Sequence, residues 1–66
     1  MNGTIKRVVQ DRGFGFIAAE DGAEYFFHRE QLRGGLDFDT INTGDRVSFD
    51  TQDGPKGPRA VNVQRA

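Results

Sequence analysis

The side chains best placed for chemistry in this sequence are aromatic. They fall in two closely spaced sets, Phe14-Gly15-Phe16 and Tyr25-Phe26-Phe27-His28. The chain has six phenylalanines, one tyrosine and no tryptophan, so the aromatic supply is concentrated in one residue type that neither donates nor accepts protons. What an exposed phenylalanine can do is stack on a flat partner. In extended backbone alternate residues share a face. Phe14 and Phe16 therefore point away from Ile17, and Phe26 and His28 point away from Tyr25 and Phe27. A small barrel takes the branched Ile17 inside. Tyr25 and Phe27 go in with it, which leaves Phe14, Phe16, Phe26 and His28 together on the solvent side. An apolar patch of that kind is costly unless something covers it. Nucleobases are suitable covers, because each base stacked on an aromatic ring contributes about 1–3 kcal/mol with little regard to its identity. Gly15, between two rings, is read as an opening through which a base or sugar could approach.

Cations surround these two segments. Lys6, Arg7, Arg12 and Arg29 flank them, and Lys56 and Arg59 lie near the last glycine- and proline-rich stretch. The acids gather elsewhere, at Glu20, Asp21 and Glu24 and then from Asp37 to Asp53. The formal net charge is only −1, so attraction to phosphate must come from uneven distribution, not from total charge. Near-neutrality also suits a second reading, in which the aromatic face docks a protein loop. Salt separates the two: phosphate contacts weaken steeply with ionic strength, and aromatic docking does not. Enzymatic function is not expected. One histidine and no cysteine leave little material for a nucleophile and its base, and no catalytic residue is assigned. The same scarcity gives no metal-ligand set. No twelve-residue calcium loop closed by a glutamate is present, and no cofactor is implied.

Five β-type runs must position these groups. They are Gly3 to Gln10, Phe14 to Ala19, Glu24 to Arg29, Arg46 to Thr51 and Arg59 to Gln64, separated by turn signals that include Asp21-Gly22. Glu30 to Asn42 reads as a long loop with one helical turn near Glu30–Arg33. Asp53 to Pro58 reads as a second loop, because proline blocks ladder hydrogen bonds. Sixty-six residues are enough for one domain, spanning residues 1–66, and too few for a two-layer sandwich. The expected fold is all-β, with five short antiparallel strands closing into a small barrel that hides its edges. Its core is expected to hold Ile5, Ile17, Val47, Phe49, Val61 and Val63, helped by Leu32 and Ile41. No apolar run is long enough for a bilayer, and the first residues lack the apolar segment of a secretion signal. With no disulfide available to staple a secreted domain, a cytoplasmic location without membrane association is expected. A monomer is the default.

Several segments resemble the bacterial cold-shock protein family. Lys6 to Ile17 (KRVVQDRGFGFI) is similar to its first nucleic-acid motif, K-W-F-N-x-x-K-G-F-G-F-I. Glu24 to Leu32 (EYFFHREQL) is similar to its second, D-V-F-V-H-F-S-A-I. Gly57 to Val63 (GPRAVNV) matches the closing G-P-x-A-x-N-V. The resemblance implies a five-stranded OB-fold barrel that binds single-stranded RNA or DNA by stacking and acts as an RNA chaperone or a regulator of transcription or translation. Carried over position by position, it implicates Lys6, Phe14, Phe16, Phe26 and His28. It also implicates Phe38 as a loop aromatic capping the site and Lys56 as a basic residue of the last loop. Arg12 keeps the charge of the motif's lysine. The motif's tryptophan is Arg7 here, the next two motif residues are Val8 and Val9, and the phenylalanine after the histidine is Arg29. Two stacking rings have thus become guanidinium groups, which stack and also pair with phosphate. The resemblance therefore implies a smaller apolar platform and a steeper salt dependence than is usual in the family.

Overall fold

A computed structural model describes residues 1–55 and 57–66; Lys56 lies outside the described residues. The five strands are β1 (Asn2–Val9), β2 (Phe14–Ala19), β3 (Glu24–His28), β4 (Arg46–Gly54) and β5 (Gly57–Arg65). They close into a barrel in the order β1-β2-β3-β5-β4. A ring with an odd number of strands cannot alternate direction all the way round, so one neighbouring pair must be parallel. That pair is β3 with β5, joined at Phe26↔Arg59, and a second parallel bridge forms at Leu32↔Val63. The other neighbours pair antiparallel, as expected. The last hairpin is tighter than the expected loop, because the ladder continues to Gly54↔Gly57 and includes Pro58 opposite Asp53. Among the described residues, the only helical element is a 3-10 turn at Arg29–Gln31. No helix among the described residues is long and apolar enough to cross a membrane.

Two irregularities decide which side chains face inward. In β1 the register passes from Ile5↔Ile17 to Arg7↔Phe16. Lys6 is thus an extra residue, and a bulge of this kind breaks the period of two. Ile5 is buried and Val8 packs against the core, while Lys6 and Arg7 are both exposed. In β5 the register passes from Asp50↔Val61 to Ser48↔Gln64, so Phe49 faces two residues. Asn62 takes up the irregularity at φ 52°, a left-handed conformation that asparagine tolerates better than most residues. Its side chain donates to Asp50 Oδ2 at 3.3 Å. Simple alternation places Val61 and Val63 in the core together. The bulge instead sends Ala60 and Val63 inward and leaves Val61 half-buried.

Tyr25 and Phe27 are buried beside Ile5, Ile17, Ile41, Val47 and Phe49 as anticipated, Leu32 only packs against the core from a half-buried position, and Leu36 and Phe38 join the core unanticipated. Phe27 is completely buried. Tyr25 packs against Phe49 with ring centroids 5.6 Å apart. Gly15 also faces this core, which corrects its reading as an opening for a base. A methyl group placed on it would lie 2.7 Å from the Arg7 carbonyl oxygen and 2.7 Å from Cζ of Phe27. Glycine at 15 is what allows Phe27 to fill the barrel. Gly15→Ala is therefore expected to destabilise the fold by about 1–3 kcal/mol, in the range of core overpacking. Urea unfolding checks this, and an unchanged midpoint would contradict the packing.

The β2–β3 hairpin turns at Gly22, whose φ is +87°. Asp21 anchors it by accepting from the Ala23 N–H at 2.9 Å and from the Tyr25 hydroxyl at 2.8 Å. The Ala23 bond first, and then the Tyr25 bond, hold the Asp21 carboxyl below its ordinary value, and the same contact pushes the Tyr25 phenol above its own. A lowered carboxyl pKa contributes stability that is present above the unfolded value of about 3.9 and lost as pH falls through the folded value. The raised phenol contributes stability that is present below about pH 10 and lost as pH rises through its folded value. Between pH 5 and pH 2.5 the wild type should accordingly lose more thermal stability than Asp21→Asn. Parallel melting curves for the two proteins would contradict this.

Candidate nucleic-acid interface

Cross-strand register builds the outer face row by row, because directly opposed residues share a face. One row joins Val9, Phe14 and His28. The next joins Arg7, Phe16, Phe26 and Arg59 across four strands. A third joins Thr4, Ala18 and Glu24. The bulge at Lys6 is what brings Arg7 into line with the rings. Without the extra residue Lys6 would stand opposite Phe16.

Phe14, Phe16 and Phe26 form one cluster. Centroids of Phe14 and Phe26 are 5.2 Å apart, those of Phe14 and Phe16 5.9 Å in an edge-to-face arrangement, and those of Phe16 and Phe26 6.0 Å. Each ring is half-buried by its neighbours, so the cluster presents ring faces and edges at different tilts instead of one flat shelf. His28 is exposed beside Phe14. Its Nδ1 accepts from the Glu30 N–H at 3.2 Å and so caps the 3-10 turn. That bond orients the ring, and Nε2 has no hydrogen-bond partner among the described residues.

Among the described residues, carboxylates neutralise cations at the hairpin end. Lys6 pairs with Glu24 at 2.5 Å, and Arg46 with Glu20 at 3.2 Å. Lys6, expected at the interface, is thus held toward the third row and away from the rings. Arg7, Arg12, Arg29 and Arg59 have no carboxylate ion-pair partner among the described residues. A chain of net charge −1 thereby keeps four guanidinium groups around its aromatic face. Two of them lie beside glycines. Arg29 donates its backbone N–H to the Gly13 carbonyl at 2.9 Å, and its Cδ lies 3.2 Å from where a Gly13 Cβ would be. Arg59 passes over Gly54 and donates Nη2–H to Gln52 Oε1 at 3.1 Å. Arg12, Arg29 and His28 line a polar depression together with Asp11 and Glu30.

Phe38 is not an exposed cap. Asp37 accepts the Asp39 N–H on its side chain at 3.0 Å, and the Thr40 and Ile41 N–H groups on its carbonyl. This turn directs Leu36, Phe38 and Ile41 into the mouth of the barrel. All three are buried, and Phe38 packs against Phe27 at 6.5 Å between centroids. The sequence has no pattern that separates a loop aromatic turned inward from one turned out.

One feature of the face has no counterpart in the sequence pattern. A groove of about 440 Å³ runs beside Phe16 and Phe26 and is closed by Gly54, Pro55, Gly57, Pro58 and Arg59. The Gly-Pro dipeptide is legible in the sequence, but its position next to the rings depends on the parallel β3–β5 contact.

The whole of residues 1–66 matches the 'cold-shock' DNA-binding domain family. This chain belongs to that family. It is 43% identical over 63 residues to cold shock protein 2 of Lactiplantibacillus plantarum, covering 96% of this chain and 94% of the relative. It is 45% identical over 64 residues to the major cold shock protein of Micrococcus luteus, with the same coverage of each. In shape it is similar to drosophila Unr CSD456, with a TM-score of 0.74 at 24% identity, covering 98% of this chain and 26% of that one. That likeness establishes the OB-fold barrel. The cold-shock domain family binds nucleic acid and is not enzymatic, and nucleic-acid binding is the activity of this chain.

Proposed function

We propose that this cold-shock domain binds single-stranded RNA or DNA by taking unpaired bases onto Phe14, Phe16, Phe26 and His28, with Arg7, Arg12, Arg29 and Arg59 along the sugar–phosphate backbone. The observation that carries this reading is the row Arg7–Phe16–Phe26–Arg59, in which two rings lie between two guanidinium groups. Stacking needs bases released from their partners, so binding draws duplex segments open by mass action without ATP or metal. This is the action of an RNA chaperone or a regulator of transcription or translation, working as a monomer in the cytoplasm. Lys6, occupied by Glu24, contributes less than the arginines. Lys56 is assigned to the backbone contacts by its match to the family's basic residue alone.

The test is fluorescence anisotropy of a labelled short oligothymidine over a range of salt. Five phosphate contacts, from the four arginines and Lys56, predict that log affinity falls with log salt at a slope of about −3.5. Binding that is flat in salt, or no binding to this strand or to a mixed RNA strand at low salt, would contradict the reading and turn attention to protein partners of the aromatic face.

A further inference from the structure

We propose that Arg59 makes the groove beside Phe16 and Phe26 a guanine-preferring base site. The proposal rests on the base-stacking function above, adds a base preference to it and turns Arg59 from the sugar–phosphate backbone to a base edge. Among the described lining residues, Phe16, Phe26, Gly54, Pro55, Gly57 and Pro58 carry no hydrogen-bonding side chain. Arg59 is the remaining one, and it sits in register with Phe26. A base seated in this groove therefore meets a single polar side chain among the described lining residues, and that side chain only donates.

The Arg59 side chain has one hydrogen bond and one backbone neighbour. Its stem crosses the Gly54 backbone, where an added Cβ would lie 3.8 Å from Cδ and 3.9 Å from Nε. One Nη2–H is spent on Gln52 Oε1 at 3.1 Å. The remaining N–H groups keep the planar fork that suits two adjacent acceptors. Guanine offers O6 and N7 side by side. Adenine offers N7 next to the N6 amino group, so a second arginine N–H would face another donor. Thymine and uracil offer isolated acceptors. Cytosine has N3 and O2 together, but its single ring covers less of the two phenylalanines. Guanine alone combines a bicyclic stacking surface with an acceptor pair.

The experiment measures affinity for short oligothymidines carrying one central guanine, adenine or 7-deazaguanine, the last lacking the N7 acceptor. The guanine strand should bind wild type about five- to tenfold more tightly than the adenine strand, the lower part of the range for one bidentate contact. Replacing guanine by 7-deazaguanine should remove most of that preference, with no change to the protein. Arg59→Lys, checked for folding by circular dichroism, should bring the guanine-to-adenine ratio within about twofold, because lysine is a point charge without a fork. Salt-sensitive binding with equal affinity for guanine and adenine, a 7-deazaguanine strand as tight as guanine, or an undiminished ratio in Arg59→Lys would each overturn the role of Arg59 alone. Failure of every strand to bind would overturn the stacking function and this proposal with it.

Discussion

Replacing Phe26 by alanine should lower affinity for a short single strand by roughly ten- to a hundredfold while the protein stays folded. Phe26 is the centre of the aromatic face. It touches Phe14 and Phe16, with centroids 5.2 and 6.0 Å away, stands between Phe16 and Arg59 in the four-strand row and lines the groove. A base stacked on a ring is worth about 1–3 kcal/mol, and removing this ring also loosens the two beside it. The cost to folding is smaller. The side chain is half-buried on the outer face, and no core residue depends on it for closure. The measurement is anisotropy with oligothymidine, paired with a thermal melt by circular dichroism. A folded Phe26→Ala protein that binds within twofold of wild type would remove the platform from the account.

Phe27→Ala, one residue along, should have the opposite character. Phe27 is fully buried and is the largest of the completely enclosed side chains. Phe38 packs edge-on against it, and Gly15 has no Cβ where its ring passes. Truncating a buried phenylalanine costs about 3–5 kcal/mol. Folded domains are stable by only about 5–15 kcal/mol, and a chain of this size sits toward the lower end. The variant should be largely unfolded at 37 °C, with its urea midpoint displaced far below that of wild type. Any loss of binding would then follow loss of fold, unlike Phe26→Ala. A cooperative melt within a few degrees of wild type would mean that the Phe27 cavity collapses at little cost, and that the barrel is packed differently from the structure described.

Opposite outcomes at adjacent positions are legible in the order of residues, because a strand alternates its faces. The inward Ile17 and Phe27 and the outward Phe14, Phe16 and Phe26 follow from the period of two and from the hairpin signal at Asp21-Gly22. Alternation fails where the backbone carries an extra residue. The bulge at Lys6 gives Arg7 its place opposite Phe16, and the irregularity at Asn62 exchanges Val61 for Ala60 in the core. A bulge adds no residue type of its own, so hydropathy alone does not reveal it. The role of Gly15 is hidden for a related reason. A glycine between two outward rings points inward, and what it makes room for lies on another strand.

Residue types and local period are enough to make this chain all-β and to send Phe14, Phe16 and Phe26 to one face of their hairpin and Ile17 and Phe27 to the other. Both are written along the chain. Tertiary structure alone decided which cations stand beside the rings and which are consumed by Glu20 and Glu24. It decided that Phe38 closes the barrel instead of the site. It also placed Arg59 beside Phe26, 33 positions away in sequence, through the parallel strand pair that a five-stranded ring requires. Contacts between distant segments depend on closure and register, and closure is a property of the whole barrel that no single stretch of sequence contains.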